Sequence, residues 1–378
     1  MQKCLKHCIF ILAILDCDIG SPTSDLHSAI SCLPISLGGA GIHDPALIWD
    51  AANASSFLSA LHSPFGKPTS VPPDFFSLTV SSLASKTARH DRSSASAASL
   101  LLAQAPNIPS FGKSSRWNDQ SFWASEIALA ASSLFDTLAV ERLSSLRKLQ
   151  SAPGSGLWLL ATPGAIPFSP PEWQLLLRAR LGMTLSSDVD RCAACHCPQD
   201  PFGDHALSCS SSGLYQRHNR LRDTLAHWRR KAGWSPLLEQ NLPNSSSGPA
   251  DILFTSCSAK PVAVDVTVCH PLRPHSSLAT RSTPHLAAQM AESQKYSANG
   301  PTCAASNWLF SAFAVESTGG LGPGAQKLCR LLVRALSLKL GLPPTTLSLE
   351  IHSSLSTALA KGRAEMLLSA CPLASPST

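Results

Sequence analysis

Residues 261–268 read "PVAVDVTV". Successive side chains of an extended strand point to opposite faces, so Val262, Val264, Val266 and Val268 share one face and Ala263, Asp265 and Thr267 the other. The β-branched run predicts a strand. Two further strands precede it, at 249–254 ("PADILF") and 237–242, the latter entered through "PLLEQ". A basic helix over 214–233 comes before them. A helix over 284–298, a strand over 309–316 and a helix over 323–341 come after. Helix–strand–strand–strand–helix–strand is the order of an α/β sandwich with a central mixed sheet.

A lone carboxylate within an apolar strand is costly to bury unless a cation meets it. Asp251 opens the preceding strand, and neighbouring strands would bring Asp251 and Asp265 together on one divalent cation. Glu239 could join them from the first strand. Lys295 shares a helical face with Ala288 and Ala291, a small-residue stripe suited to close packing on the sheet. Two carboxylates, Mg²⁺ or Mn²⁺ and a lysine make a phosphodiesterase site, in which the cation polarises phosphate and activates water. The structural alternative is that Asp251 ends a turn and Asp265 forms an ordinary salt bridge.

Upstream lies "CHCPQDPFGDHALSCSSSGLYQRHN", 195–219. Cys192 and Cys195 are separated by two residues and His205 and Cys209 by three, spacings that suit one tetrahedral Zn²⁺. Asp204 could orient the His205 ring. His196 and Cys197 compete for ligand roles, which leaves Cys195 against Cys197 open. Four protein ligands leave no open position, so this zinc would be structural. The following helix carries Arg217, Arg220, Arg222, Arg229, Arg230 and Lys231 against one acid, Asp223, with Leu214, Leu221, Leu225 and Trp228 as an apolar stripe. Such a run is either a solvated face or a phosphate-contacting one.

The chain has 378 residues, a formal net charge of +6 and only 14% charged residues. That charge permits a polyanionic partner without requiring one. Thirteen cysteines, several beside histidines, favour metal ligation in a reducing compartment over a disulfide framework. The opening "MQKCLKHCIFILAIL" stops at Asp16 with no clean cleavage site and reads as a buried segment rather than a leader. No stretch approaches the ~18 apolar residues of a membrane span. Helices are expected after Asp44 and over 122–150, and "SPPEWQLLLRARLG" (169–182) carries its own cap, capping box and terminator. The fold expected is α+β multidomain: a mostly helical N-terminal half, a small zinc knuckle, then the sandwich.

Taken in order, Cys-x-x-Cys, "DPFGDHALSC", "RHN", "PADI", "VAVDVTV", "KY" and "FAVESTGGLGP" resemble the C-terminal region of non-LTR retrotransposon polyproteins. That family carries a reverse transcriptase, a Cys/His zinc knuckle and a restriction-like endonuclease of the PD-(D/E)XK type. "LPISLGGAGIHDPA" (33–46) resembles its thumb region, and the likeness covers roughly 30–60 and 155–325. It implies a thumb-like remnant at 1–61, a Ser/Ala-rich linker at 62–155, a helical linker at 156–190, the knuckle at 191–213, the endonuclease at 214–345 and a C-terminal helix and tail at 346–378. It implies that Asp251 and Asp265 bind the catalytic metal and that Lys295 is the catalytic lysine, displaced from strand to helix; Thr267 stands where the usual signature has its lysine. It places zinc on residues 192, 195, 205 and 209, and Arg217, His218 and Asn219 near DNA, with Arg220, Arg229, Arg230 and Lys231 extending the basic surface. Gly248, Ala250 and Glu292 depart from the pattern, and there is no aromatic-x-Asp-Asp polymerase signature. The expected function is nicking of target DNA in a nuclear or intracellular setting, with DNA and element RNA as partners and no membrane. The other expectation is a decayed, non-catalytic zinc protein that still binds nucleic acid.

Overall fold

The structure is a computed structural model that describes residues 35–37, 39–40, 141–160, 168–185, 191–242, 248, 250–255, 258–273 and 276–370. The expected helix after Asp44, the opening apolar segment, residues 122–140 and the final tail at 371–378 lie outside the described residues. Residues 141–370 belong to one compact unit; a second unit, 28–140, enters the description only through the 3₁₀ turn Ile35–Leu37 and its neighbours Gly39 and Ala40.

Seven α-helices are described: α1 (Glu141–Gln150), α2 (Pro170–Leu181), α3 (Leu214–Lys231), α4 (Leu278–Ser282), α5 (Leu286–Ala305), α6 (Pro323–Leu340) and α7 (Pro344–Ala370). Four strands, β1 (Pro236–Gln240), β2 (Ala250–Phe254), β3 (Val262–Cys269) and β4 (Leu309–Glu316), pair in the order β1-β2-β3-β4. The first two pairings are antiparallel. β3 and β4 run parallel, from Val262↔Leu309 to Cys269↔Glu316. A parallel pair needs a crossover, and α4 with α5 supplies it. The class is therefore α+β with a mixed sheet.

The alternation along β3 sorts the layers. Val264 and Val266 join Ile252, Phe254, Phe313 and Val315 in a core completed by Leu221 and Leu225 of α3 and Leu328 and Leu332 of α6. On the opposite face Ala263 meets Leu253 and Cys303, the latter from α5. Asp265 shares that α5-facing side with Ala263, as Asp251 does with Leu253.

The local signals of α2 operate as its sequence implies. Glu172 Oε2 accepts the Ser169 N–H at 2.7 Å, and Gly182 ends the helix at φ 72°. Lys361 of α7 caps the same carboxylate with its ammonium at 2.6 Å from Oε1. The described residues from 141 to 370 fall within one compact unit. α7 is the reason: Leu347, Ile351, Leu355 and Leu359 enter the main core, whereas Met366, Leu367 and Ala370 enter a second cluster around the knuckle. Each such side chain contributes about 1.5–3 kcal/mol by burial. Among the described residues, no helix is long and apolar enough to cross a membrane.

Glu292 has a structural task. Its carboxylate lies buried on α5 and accepts the N–H groups of Ala314 (3.3 Å), Gly324 (2.8 Å) and Ala325 (3.0 Å), which closes the N-terminus of α6. A Cβ on Gly322 would stand within 3.0 Å of Oε1, Cδ and Oε2 of that group. Gly322→Ala should cost about 2–4 kcal/mol, because the carboxylate cannot yield without releasing its donors. A urea-unfolding midpoint unchanged from wild type would contradict this.

Candidate functional site

Two groupings of chemistry-bearing side chains emerge, one in the knuckle and one on the sheet. In the knuckle, Cys192, Cys195, His205 and Cys209 present ligand atoms that all lie within 4.8 Å of one another. Cys195 Sγ is 3.2 Å from His205 Nε2, and the Cys192 and Cys209 sulfurs are 4.0 Å apart. Cys192 and Cys195 are placed by a turn in which the His196 N–H donates to Cys192 O and the Cys192 N–H to Cys197 O. His205 and Cys209 flank the 3₁₀ turn Ala206–Ser208. Cys197 is exposed and outside the cluster, which resolves the choice in favour of Cys195. Three thiols and an imidazole around one point can hold a metal ion.

Asp204 does not orient His205. It makes a bidentate pair with Arg142 of α1 (2.8–3.0 Å) and lies 3.1 Å from His270 Nε2 just past β3; His270 Nδ1 in turn is 2.5 Å from Ser317 Oγ. Burial alone would push the Asp204 pKa up, but His270 and Arg142 outweigh it and hold the carboxyl below its ordinary range. The residue that shapes the loop before His205 is Asp200, whose carboxylate accepts the N–H groups of Phe202, Asp204 and His205 at 2.6–3.0 Å. Gly203, at φ +80°, lets this loop approach α7: a Cβ there would stand 2.7 Å from Leu367 Cδ2.

On the sheet, the β2–β3 register pairs Ile252 with Val264. One further step places Asp251 opposite Asp265. Facing positions on neighbouring strands have Cβ atoms about 4.5–5.5 Å apart. Asp251 Oδ2 accepts the Val266 N–H at 2.6 Å, so this carboxylate takes over the ladder where the strands separate; its Oδ1 lies 3.4 Å from His218 Nε2. Asp265, 6% exposed, meets Lys295 Nζ at 3.0 Å and the Asn299 amide at 2.9 Å, both through Oδ2. Burial raises the Asp265 pKa, Lys295 opposes that, and the charge of Asp251 adds to it. Among the described residues Asp265 Oδ1 has no hydrogen-bond partner, whereas Asp251 Oδ1 has the His218 imidazole beside it. Hard oxygen donors of this kind fit Mg²⁺ or Mn²⁺.

Glu239 does not join them. It stands opposite Asp251 in the β1–β2 register, but its backbone is left-handed (φ 50°) and its carboxylate pairs with Arg222 of α3. That left-handed backbone is signalled by no sequence pattern. Asn299 was not anticipated either, although it lies four residues after Lys295 and hence on the same helical face.

The basic helix is largely turned inward. Arg217 is 1% exposed and donates to Leu207 O, and Arg229, also 1% exposed, stacks between Trp234 and Phe254. Neither can reach a phosphate from there. Arg220 pairs with Glu365, and His218 and Asn219 are half-buried. Arg230 and Lys231 alone of the expected contact residues are exposed, with the Lys231 ammonium 4.5 Å above the Trp228 ring.

The helix that carries Lys295 and Asn299 is itself anchored by a buried acid. Glu316, 0% exposed at the end of β4, accepts the Ala287 N–H at 3.1 Å at the start of α5. Burial drives its pKa up from 4.5 to about 7, against the opposing pull of backbone donors from His285, Ala287 and Ala288. Because the folded value exceeds the unfolded one, the stability it confers is complete below pH ~4.5 and declines as pH rises towards ~7, by about 3 kcal/mol. Glu316→Gln should flatten that slope in denaturant titrations run across the window; an unchanged slope would contradict the assignment. No protein-family model matches the chain, and no curated protein matches it either.

Proposed function

We propose that this chain is a metal-dependent DNA endonuclease module of a retrotransposon-derived protein, with a structural Zn²⁺ in the Cys192–Cys195–His205–Cys209 cluster. The observation that carries the reading is the Lys295 ammonium 3.0 Å from Asp265, with Asp251 on the neighbouring strand one register step beyond the Ile252↔Val264 pair. The helix–three strands–helix–strand order and the mixed sheet agree with the restriction-like fold that the motif order resembles. A bound Mg²⁺ or Mn²⁺ would polarise the scissile phosphate and lower the pKa of a water. Asp251 and Asp265 supply the oxygens that hold such an ion. Lys295 offsets the negative charge that gathers on the phosphate and hydrogen-bonds the attacking water. Burial raises the Asp265 pKa, so as pH drops a proton competes with the metal for this carboxylate earlier than for an ordinary one. Four protein ligands leave the zinc site without an open position, and its role is to hold the knuckle.

A second reading is a decayed nucleic-acid-binding module. The inward-turned Arg217 and Arg229, which shrink the cationic surface, favour it. A nicking assay on supercoiled plasmid with Mg²⁺ or Mn²⁺ separates the two, comparing wild type with Asp265→Ala. Metal-dependent nicking lost in the variant supports the nuclease. Equal activity in both would remove the catalytic assignment, and gel-shift binding without nicking would select the decayed module.

A further inference from the structure

We infer that Asn299 is a positioning residue of the carboxylate site, holding Asp265 so that one oxygen, Oδ1, faces the divalent cation; the inference rests on the nuclease reading above. Asp265 accepts two hydrogen bonds, from Lys295 Nζ at 3.0 Å and from Asn299 Nδ2 at 2.9 Å, and both fall on Oδ2. Among the described residues Oδ1 accepts none. The two donors are four residues apart on α5, one turn above the other, so they approach one oxygen from adjacent points of a rigid helix. With a single donor the carboxyl group could rotate about its Cβ–Cγ bond and exchange its oxygens. With two donors bound to Oδ2, that rotation breaks both contacts at once. Asp251 is also fixed, its Oδ2 tied to the Val266 N–H and its Oδ1 3.4 Å from His218 Nε2.

An amide suits this place better than a second cation. Asn299 donates to Asp265 without adding charge, so it orients the carboxylate without competing with a metal ion for it. Lys295 remains the one ammonium on Asp265, available to the phosphate. Groups that orient metal ligands in this way typically contribute 10–100-fold to metal affinity.

The test is a titration of the full-length zinc-loaded protein with Mn²⁺, reading free aqua-Mn²⁺ by electron paramagnetic resonance. Wild type is compared with Asn299→Leu, which keeps the approximate shape but removes the donor, with Asn299→Ala, and with Asp265→Ala. Plasmid binding in Ca²⁺ and thermal unfolding are followed in parallel. Mn²⁺ affinity is expected to fall about tenfold in both Asn299 variants. The Mn²⁺ concentration required for nicking should rise by the same factor, with plasmid affinity and unfolding midpoint near wild type. A merely structural role would move the midpoint and leave the metal requirement alone. Unchanged Mn²⁺ affinity in both Asn299 variants, with affinity lost in Asp265→Ala, overturns the positioning role and leaves the nuclease reading standing. Unchanged affinity in Asp265→Ala itself removes the nuclease reading and this inference together.

Discussion

Cys209→Ser protein should be recovered with far less than one zinc per chain and should unfold well below the wild type. The sulfur it loses is 5% exposed, packed with Leu175, Leu207, Met366 and Leu367, beside a Cys192 that is 0% exposed. Between 191 and 213 the regular structure is a three-residue 3₁₀ turn and one isolated bridge, Arg191↔Pro198, among turns and bends. Such a segment has little structure of its own, so the free energy of metal binding becomes folding free energy; isolated zinc modules gain roughly 10–16 kcal/mol this way. Here the knuckle is also packed on α2 and α7, which spreads the support, and a loss of at least about 3 kcal/mol is expected. For a body of this size that lowers Tm by roughly 6–12 °C. Elemental analysis and thermal scans with and without chelator check both halves. A Cys209→Ser protein with full zinc and an unshifted midpoint would remove the ligand assignment.

Asp265→Asn is expected to lower the nicking rate on the order of 10³-fold, about 4 kcal/mol of transition-state stabilisation. The substitution keeps size and hydrogen-bond acceptance but removes the charge that, on the proposed reading, would bind the cation. Lys295→Met should cost on the order of 10²-fold, as removal of a single positioned proton-transfer or electrostatic group does. Glu239→Gln is the internal control. Its carboxylate is turned to Arg222, so activity should stay within about threefold of wild type; a loss comparable to Asp265→Asn would mean that Glu239 reaches the metal after all. The pH dependence has a definite sign. Because burial and Asp251 raise the Asp265 pKa, acidification protonates the site early and rates should fall as pH drops. Raising Mg²⁺ should offset the fall, since metal and proton compete for the same oxygens.

The sheet was legible because its cause is local. Alternation in "PVAVDVTV" needs no distant information to separate the Val264 face from the Asp265 face, and the structure fills those faces with the α3–α6 core and with α5. The same holds for α2, whose cap and terminator are written within fourteen residues, and for the knuckle, where ligand spacing limits the reachable geometry. Glu239 was misplaced for the opposite reason. Its backbone is left-handed, and its carboxylate goes to Arg222, seventeen residues earlier in the chain. Arg217 and Arg229 were misplaced because charge predicts exposure only on average. Aromatic faces and a backbone carbonyl let guanidinium groups be buried. Asp204 looked like a partner of its neighbour in sequence, yet its partners came from α1 and from the end of β3.

What the sequence determined on its own is therefore the class of each element and the chemistry available: strands with an acid on one face, a helix that places a lysine over them, and four metal-type ligands at workable spacing. Tertiary structure alone decided which charges meet. It drew linker, knuckle, sheet and last helix into one body because α7 has apolar residues to bury at both ends. It assigned Glu292 and Glu316 to helix termini, and it paired Lys295 and Asn299 on a single oxygen. The physical reason is range. Backbone preference and hydrophobic periodicity act over a few residues, whereas the cost of burying a charge is set by whatever the folded chain brings within a few ångströms of it.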